Sequence, residues 1–151
     1  MRMNDPIINC VLLADRHHGL SEAIRGLLET TFEAVVMVAD QTSLLESVKR
    51  LQPTLAVVDL SLAREENFRW LQKLRGSYPK MKLIVLSVHD EPSVLRTTME
   101  AGADGFVVKR HIATELLPAV DAVLAGQSYI SPGVGSTDGD NKGIAKPEEK
   151  R

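Results

Sequence analysis

The hydrophobic pattern of the chain predicts a doubly wound parallel α/β sheet, on three observations. Five short runs rich in Val, Leu and Ile alternate with segments of helical spacing. The runs show little polar alternation, as expected of parallel strands covered on both faces. Helix stop and start residues stand at the boundaries between the two patterns. Strand–helix alternation repeated five times implies a parallel sheet with right-handed crossovers.

The strands are predicted at Asn9–Ala14, Ala34–Ala39, Leu55–Val58, Lys82–Ser87 and Gly105–Val108. Between the first two, Leu20, Ile24, Leu27 and Leu28 share one helical face; Leu44, Leu45, Val48 and Leu51 do so next, then Phe68, Leu71 and Leu74. Ser43-x-x-Glu46 forms a capping box pattern, with Asp40 or Thr42 as alternative caps. Pro53, Pro79 and Gly102 follow the second, third and fourth helices, where each residue type ends a helix well. The last helix is predicted to begin near Thr114, with Pro118 in or just after its first turn, and to end at Gly126.

The 151 residues suit a single domain. With 18 basic against 20 acidic side chains, the net charge of −2 gives no electrostatic basis for tight binding to bare nucleic acid or an anionic membrane. The longest apolar run, Ala34–Ala39, is far below the roughly 20 residues that span a bilayer, and no secretory signal pattern is visible. A cytoplasmic location is therefore expected. The lone Cys10 excludes an internal disulfide and a cysteine-rich metal site. Composition changes near Ile130: residues 131–151 hold few large apolar groups, and four acids there balance four bases. Such a segment buries too little apolar surface to offset the entropy of ordering it. The expected division is a domain over 1–130 and a flexible tail over 131–151.

In an open α/β sheet the functional crevice lies beyond the carboxyl ends of the strands. Asp15 ends the first predicted strand, Asp59 the third, Ser87 the fourth and Lys109 the fifth. Any one of these has an ordinary explanation as a cap, a loop hydroxyl or a solvated charge. Together they would bring two carboxylates, a hydroxyl and an ammonium to one rim. His17 and His18 read as loop or helix-start residues, because adjacent side chains point apart and no acidic or cysteine partner has ligand spacing. His89 and His111 read as solvated loop residues near the rim. Cys10 reads as a small core residue, and Trp70 as packing or interface.

The stretches VLLADRHHGL (11–20), LAVVDLSL (55–62), KLIVLSVHDE (82–91) and AGADGFVVKR (101–110) together resemble the receiver domain of two-component response regulators, over about residues 7–130. The Asp-x-His start and the LSVHDE stretch are most similar to receivers of the LuxR/NarL type, which usually carry a C-terminal helix-turn-helix domain. No such domain is legible here, so the reading is a stand-alone receiver or a truncated one. The resemblance implies a five-stranded flavodoxin-like sheet of order 2-1-3-4-5.

It also implies that Asp59 accepts a phosphoryl group from a sensor histidine kinase, a phosphotransfer protein or a small phosphodonor. Lys109 and Ser87 would bind the phosphoryl oxygens. Mg²⁺ would be held by Asp59, the backbone carbonyl of Ser61 and Asp15. Ser87 and Phe106 would form the switch, Ser87 moving toward the phosphate and vacating space for the ring. The switched surface would then select a downstream output protein, and the fifth helix offers a possible homodimer contact. Catalysis would be limited to self-phosphorylation and dephosphorylation.

One position departs from the pattern. Similar receivers carry two consecutive acids after the first strand, and here the pair is Asp15-Arg16. A guanidinium cannot ligate a cation and opposes one nearby. Either Arg16 swings to solvent and leaves a weaker Mg²⁺ site, or it enters the pocket and pairs with Asp59. The second outcome would make a phosphorylation-independent pseudo-receiver. A flavin-binding protein of the same fold class would need a Ser/Thr/Gly-rich phosphate loop after the first strand, where LADRHHGLSE supplies acids and bases instead. Lys109 is followed by Arg110 rather than proline, so a cis peptide is not expected there.

Overall fold

The computed structural model describes residues 10–62 and 68–134. Its elements, in chain order, are β1 (Cys10–Ala14), α1 (His18–Leu28), β2 (Ala34–Val38), α2 (Gln41–Leu51), β3 (Leu55–Asp59), α3 (Arg69–Ser77), β4 (Lys82–Ser87), α4 (Pro92–Glu100), β5 (Gly105–Val108), α5 (Ile112–Leu124) and β6 (Tyr129–Ile130). All strand pairs are parallel, in the order β2-β1-β3-β4-β5-β6. The predicted order of the first five strands is thus observed, and the predicted count of five is corrected to six. The additional strand is two residues long, too short to leave a periodic signal.

Period-two alternation divides the core into two layers. Val11, Leu13, Leu55, Val57, Ile84, Leu86 and Val107 face one way, against Ile24 and Leu28 of α1 and Leu116, Val120 and Val123 of α5. Leu12, Ala14, Ala56, Val58, Leu83 and Val85 face the other way, against Leu44 and Val48 of α2 and Trp70, Leu71 and Leu74 of α3. Every residue of β3 is buried, which explains why that strand reads as a continuous apolar run ending in a carboxylate. β2 is the exception to the predicted double coverage, since Val35 to Val38 are only partly buried at the sheet edge. Leu45, placed by periodicity on the apolar face of α2, is 41% exposed.

Asp40 is the cap of α2, its carboxylate accepting the Ser43 N–H at 2.7 Å. That resolves the alternatives left by the sequence, because Asp40 alone has the extended backbone of a cap. The helix ends at Gln52 in the left-handed conformation, ahead of Pro53. α5 begins two residues earlier than predicted, at Ile112, so Pro118 lies inside the helix. Its missing N–H removes one backbone bond on an exposed face.

Gly102 has φ of +112°, and a Cβ there would meet Arg75 Cγ at 2.5 Å. The position matters because Arg75 ties α3 to the following loops. Its guanidinium donates to the carbonyls of Gly102, Tyr78, Pro79 and Met81, and it pairs with Asp104, whose carboxylate accepts the Leu83 N–H.

The fold also extends beyond the predicted domain end at 130. Ser131 is buried, donates its N–H to the Phe106 carbonyl, and accepts the Val108 N–H on its hydroxyl at 2.9 Å. The same hydroxyl donates to Glu115. The rest of the expected tail, from Gly135, lies outside the described residues, as does Asn9.

Gly102→Ala should destabilise the fold by more than about 1 kcal/mol, since it adds left-handed strain to a displaced Arg75; urea denaturation reads this directly. Asp40 offers a pH test. The Ser43 amide and hydroxyl hold its carboxyl below the usual range, so its stabilisation is present above the ordinary carboxylate pKa and is lost as pH falls through the depressed value. The stability gap between the wild type and Asp40→Ala should therefore be largest at neutral pH and narrow as pH falls below the ordinary carboxylate range, as read by urea titrations.

Candidate functional site

The parallel sheet delivers side chains to one rim. Asp15 follows β1, Asp59 ends β3, Ser87 ends β4 and Lys109 follows β5. Asp15, Asp59, Ser87 and Lys109 are all buried, and Lys109 opens a short 3-10 turn that aims its side chain back across the strand ends. Its ammonium lies 3.2 Å from Asp15 Oδ2 and 3.2 Å from Asp59 Oδ2. One cation thus holds two buried carboxylates that would otherwise repel each other. The Asp59 carboxylate also accepts the Ser61 hydroxyl at 2.8 Å and the Ser61 N–H at 3.2 Å.

A cavity of about 460 Å³ opens over Asp59, walled by Arg16, His17, Leu60, Ser61, Phe68 and the Ser87–His89 turn. Ser87 lines it, but its hydroxyl is engaged locally, donating to the His89 carbonyl at 3.0 Å and accepting the His89 N–H at 2.9 Å. Arg110 on the next strand connection pairs with Asp90 at 2.6 Å, which ties that turn to the end of β5. The same guanidinium holds the Asp90 carboxyl below its ordinary value.

Three sequence expectations need correction or resolution. Arg16 is exposed, lines the cavity and, among the described residues, pairs with no carboxylate, so the expected alternative of a pair with Asp59 is not formed. Phe106 is fully buried already, so the ring has no exposed position from which to move inward, and the expected packing half of a switch is filled in this state. His17 is a helix-start residue as expected, standing at the cap of α1, but the expectation that it has no acidic partner is corrected. Its N–H donates to Asp15 Oδ1 at 2.9 Å, and this turn folds Nδ1 back to 3.1 Å from Asp15 Oδ1, 3.2 Å from Lys109 Nζ and 3.6 Å from Asp59 Oδ2. The missed signal was the two-residue offset from Asp15, since an Asp side chain readily bonds the backbone two residues on. Phe68, with φ of +70°, and Val94 also line the cavity without having been singled out for it. His89 and His111 are exposed and lie 3.7 Å and 3.5 Å from the exposed Glu91 and the largely buried Glu115. The side chain of His18 is outside the described residues.

A divalent cation fits this donor set on two grounds. Asp15 Oδ2 is buried and accepts no hydrogen bond, although the Lys109 ammonium is nearby. Donor atoms of Asp15, His17 and Asp59 all lie within 4.8 Å of one another. Ser61 touches Asp59 through its N–H and hydroxyl. No helix among the described residues is long and apolar enough to cross a membrane.

A parallel sheet of this order with a carboxylate at the end of its third strand, faced by a second carboxylate and a lysine, is the architecture of a receiver. The chain belongs to the response regulator receiver domain family, which matches residues 11–121. It is 29% identical over 126 residues to the transcriptional regulatory protein DegU of Brevibacillus brevis, covering 82% of this chain and 53% of that protein. It is 27% identical over 125 residues to the oxygen regulatory protein NreC of Staphylococcus carnosus, covering 81% and 58%. The chain therefore spans little more than half the length of these curated relatives. Among solved structures, a LuxR-family response regulator from Aurantimonas superposes with a TM-score of 0.75 at 26% identity, covering 84% of this chain and 92% of that one. The isolated apo receiver of RcsB from Salmonella enterica serovar Typhimurium superposes with a TM-score of 0.71 at 26% identity, covering 83% and 94%.

The charge balance of the cluster is testable by stability alone. Lys109→Met should destabilise the protein by about 3 kcal/mol, because it leaves two buried carboxylates without their shared cation. Asp59→Asn, which leaves one carboxylate opposite one ammonium, should be close to neutral. Thermal denaturation of both variants at neutral pH without added metal checks the contrast.

Proposed function

We propose that this receiver takes up a phosphoryl group on Asp59 and relays the change by protein contact. The observation that carries this reading is the Lys109 ammonium, 3.2 Å from Asp59 Oδ2 at the floor of an open cavity. An Asp59 oxygen attacks phosphorus, the bond from phosphorus to the donor group breaks, and the donor leaves with the electron pair. Transfer of this kind asks mainly for positioning and for neutralisation of the equatorial oxygens. Lys109 supplies positive charge on one side. Ser61 orients the acceptor carboxylate through its N–H and hydroxyl. Ser87 exchanges its bonds to the His89 backbone for one to a phosphoryl oxygen, which reshapes the turn before α4.

A divalent cation, Mg²⁺ in the resemblance, would be held by Asp15, Asp59 and the Ser61 carbonyl, and when bound it neutralises charge on the phosphoryl oxygens. The donor is a sensor histidine kinase or phosphotransfer protein. The recipient of the signal is an output module, transcriptional by likeness to the regulators named above. The domain works in the cytoplasm, acts as a phosphoacceptor rather than a turnover enzyme, and makes no direct contact with nucleic acid. α5 is the surface for any homodimer. The domain read from composition, to about residue 130, is supported in taking in Ser131 as well, because that residue is buried and hydrogen-bonded to β5 and α5.

A second reading is a pseudo-receiver that signals without phosphate. It is favoured by one observation: the Phe106 ring is already fully buried.

Incubation with acetyl phosphate and MgCl₂ or MnCl₂ separates the two. A mass gain of about 80 Da, one phosphoryl group, that is absent from Asp59→Asn supports the acceptor reading. No gain with either metal leaves the pseudo-receiver.

A further inference from the structure

The second acid expected after β1 is replaced by Arg16, which is exposed and pairs with neither Asp15 nor Asp59, while a ring nitrogen from the next residue enters the cluster. We propose that the cation site at this rim is a mixed nitrogen–oxygen site, with His17 Nδ1 as a protein ligand beside Asp15 and Asp59, and that it selects a first-row transition cation such as Mn²⁺ or Co²⁺ over Mg²⁺. The inference rests on the receiver reading for the location of the site, and its ligand chemistry stands on the side chains alone.

The donor spacing suits coordination. Adjacent ligands of an octahedral ion with bonds near 2.1 Å lie about 3.0 Å apart. His17 Nδ1 lies 3.1 Å from Asp15 Oδ1 and 3.6 Å from Asp59 Oδ2. The ring is held there by its own backbone, through the His17 N–H to Asp15 Oδ1, so little freedom is lost when a metal binds. Asp15 Oδ2 offers a buried lone pair that no hydrogen bond uses.

An ammonium already takes the cation's place. Lys109 Nζ stands 3.2 Å from each of Asp15 Oδ2, Asp59 Oδ2 and His17 Nδ1. A metal entering from the cavity displaces this ammonium, and the freed lysine is then available to a phosphoryl oxygen. The His17 side chain is 59% exposed and lines the cavity, so an ion approaches the ring through that opening.

The selectivity follows from ligand type. Mg²⁺ takes oxygen ligands in near-ideal octahedral geometry and gains little from an imidazole. Mn²⁺ and Co²⁺ accept imidazole, and their affinity for a given nitrogen–oxygen site rises along the Irving–Williams order. Arg16 in place of an acid removes an oxygen ligand and its charge, which weakens the site for the hard ion most.

The test is calorimetric titration of the full chain with MnCl₂, CoCl₂ and MgCl₂, on wild type and His17→Ala. The wild type should bind Mn²⁺ at least tenfold more tightly than Mg²⁺, and His17→Ala should lose about tenfold in Mn²⁺ affinity while Mg²⁺ affinity changes less than about twofold. Pulsed electron paramagnetic resonance of Mn²⁺-loaded wild type should show hyperfine coupling to a histidine nitrogen, a readout that needs no variant to fold. An unchanged Mn²⁺/Mg²⁺ ratio in His17→Ala, or Mn²⁺ bound without nitrogen coupling, overturns the proposal. So does failure of the wild type to bind any of the three ions. Phosphoryl uptake by Asp59 is read separately by mass, so failure of that reading and failure of this one are distinguishable.

Discussion

The rim depends on one ammonium between two carboxylates that water barely reaches. Asp15 and Asp59 stand on neighbouring strands, β1 and β3, and nothing in the backbone keeps their charges apart. Lys109 arrives from the far side of β4 and closes the distance to 3.2 Å on each. Desolvating three ionised groups is costly, and the arrangement persists because each charge has a partner and most remaining lone pairs are used. The Asp59 oxygens take the Ser61 N–H and hydroxyl, and one Asp15 oxygen takes the His17 N–H. The other Asp15 oxygen accepts no hydrogen bond and is held by the Lys109 ammonium alone.

That arrangement is possible because the fold is stiff beneath it. β3 is buried along its whole length, and two apolar layers hold it from either face. Close packing of this kind lets a strand end place a carboxylate to within a few tenths of an ångström. The turns above it are different in character. The Ser87–His89 turn is closed by a hydroxyl bonded to its own backbone, and an exposed arginine–aspartate pair ties it to the next strand. Such contacts are individually weak and exchangeable. A rigid floor under a rearrangeable rim is what an input-driven change of surface requires.

Much of this was legible in the amino-acid order, for a physical reason. Parallel strands covered on both faces must be apolar runs, so Leu55–Val58 and Lys82–Ser87 could be found by eye, and the polar residue that ends each run is then a rim residue. Asp15, Asp59, Ser87 and Lys109 emerged in that way. His17 did not, because its place depends on a turn closed by the preceding Asp15 side chain rather than on any periodic pattern. The orientation of Arg16 is a rotamer choice that no spacing encodes. Phe106 was correctly found on a buried strand, yet its complete burial depends on tertiary packing that no periodic pattern encodes. β6 escaped because two residues carry no period, and Ser131 because composition alone assigns a lone serine to solvent.

The sixth strand has a mechanical consequence. Because β6 runs parallel to β5, the polypeptide beyond it heads toward the rim, and Ser131 bonds both Phe106 and Val108 just before Lys109. The backbone immediately before that lysine is therefore fastened to the residue that follows β6. The end of β5 and the residue after β6 are thus joined by two hydrogen bonds, one through a backbone N–H and one through a hydroxyl, so displacing either strand end strains the other.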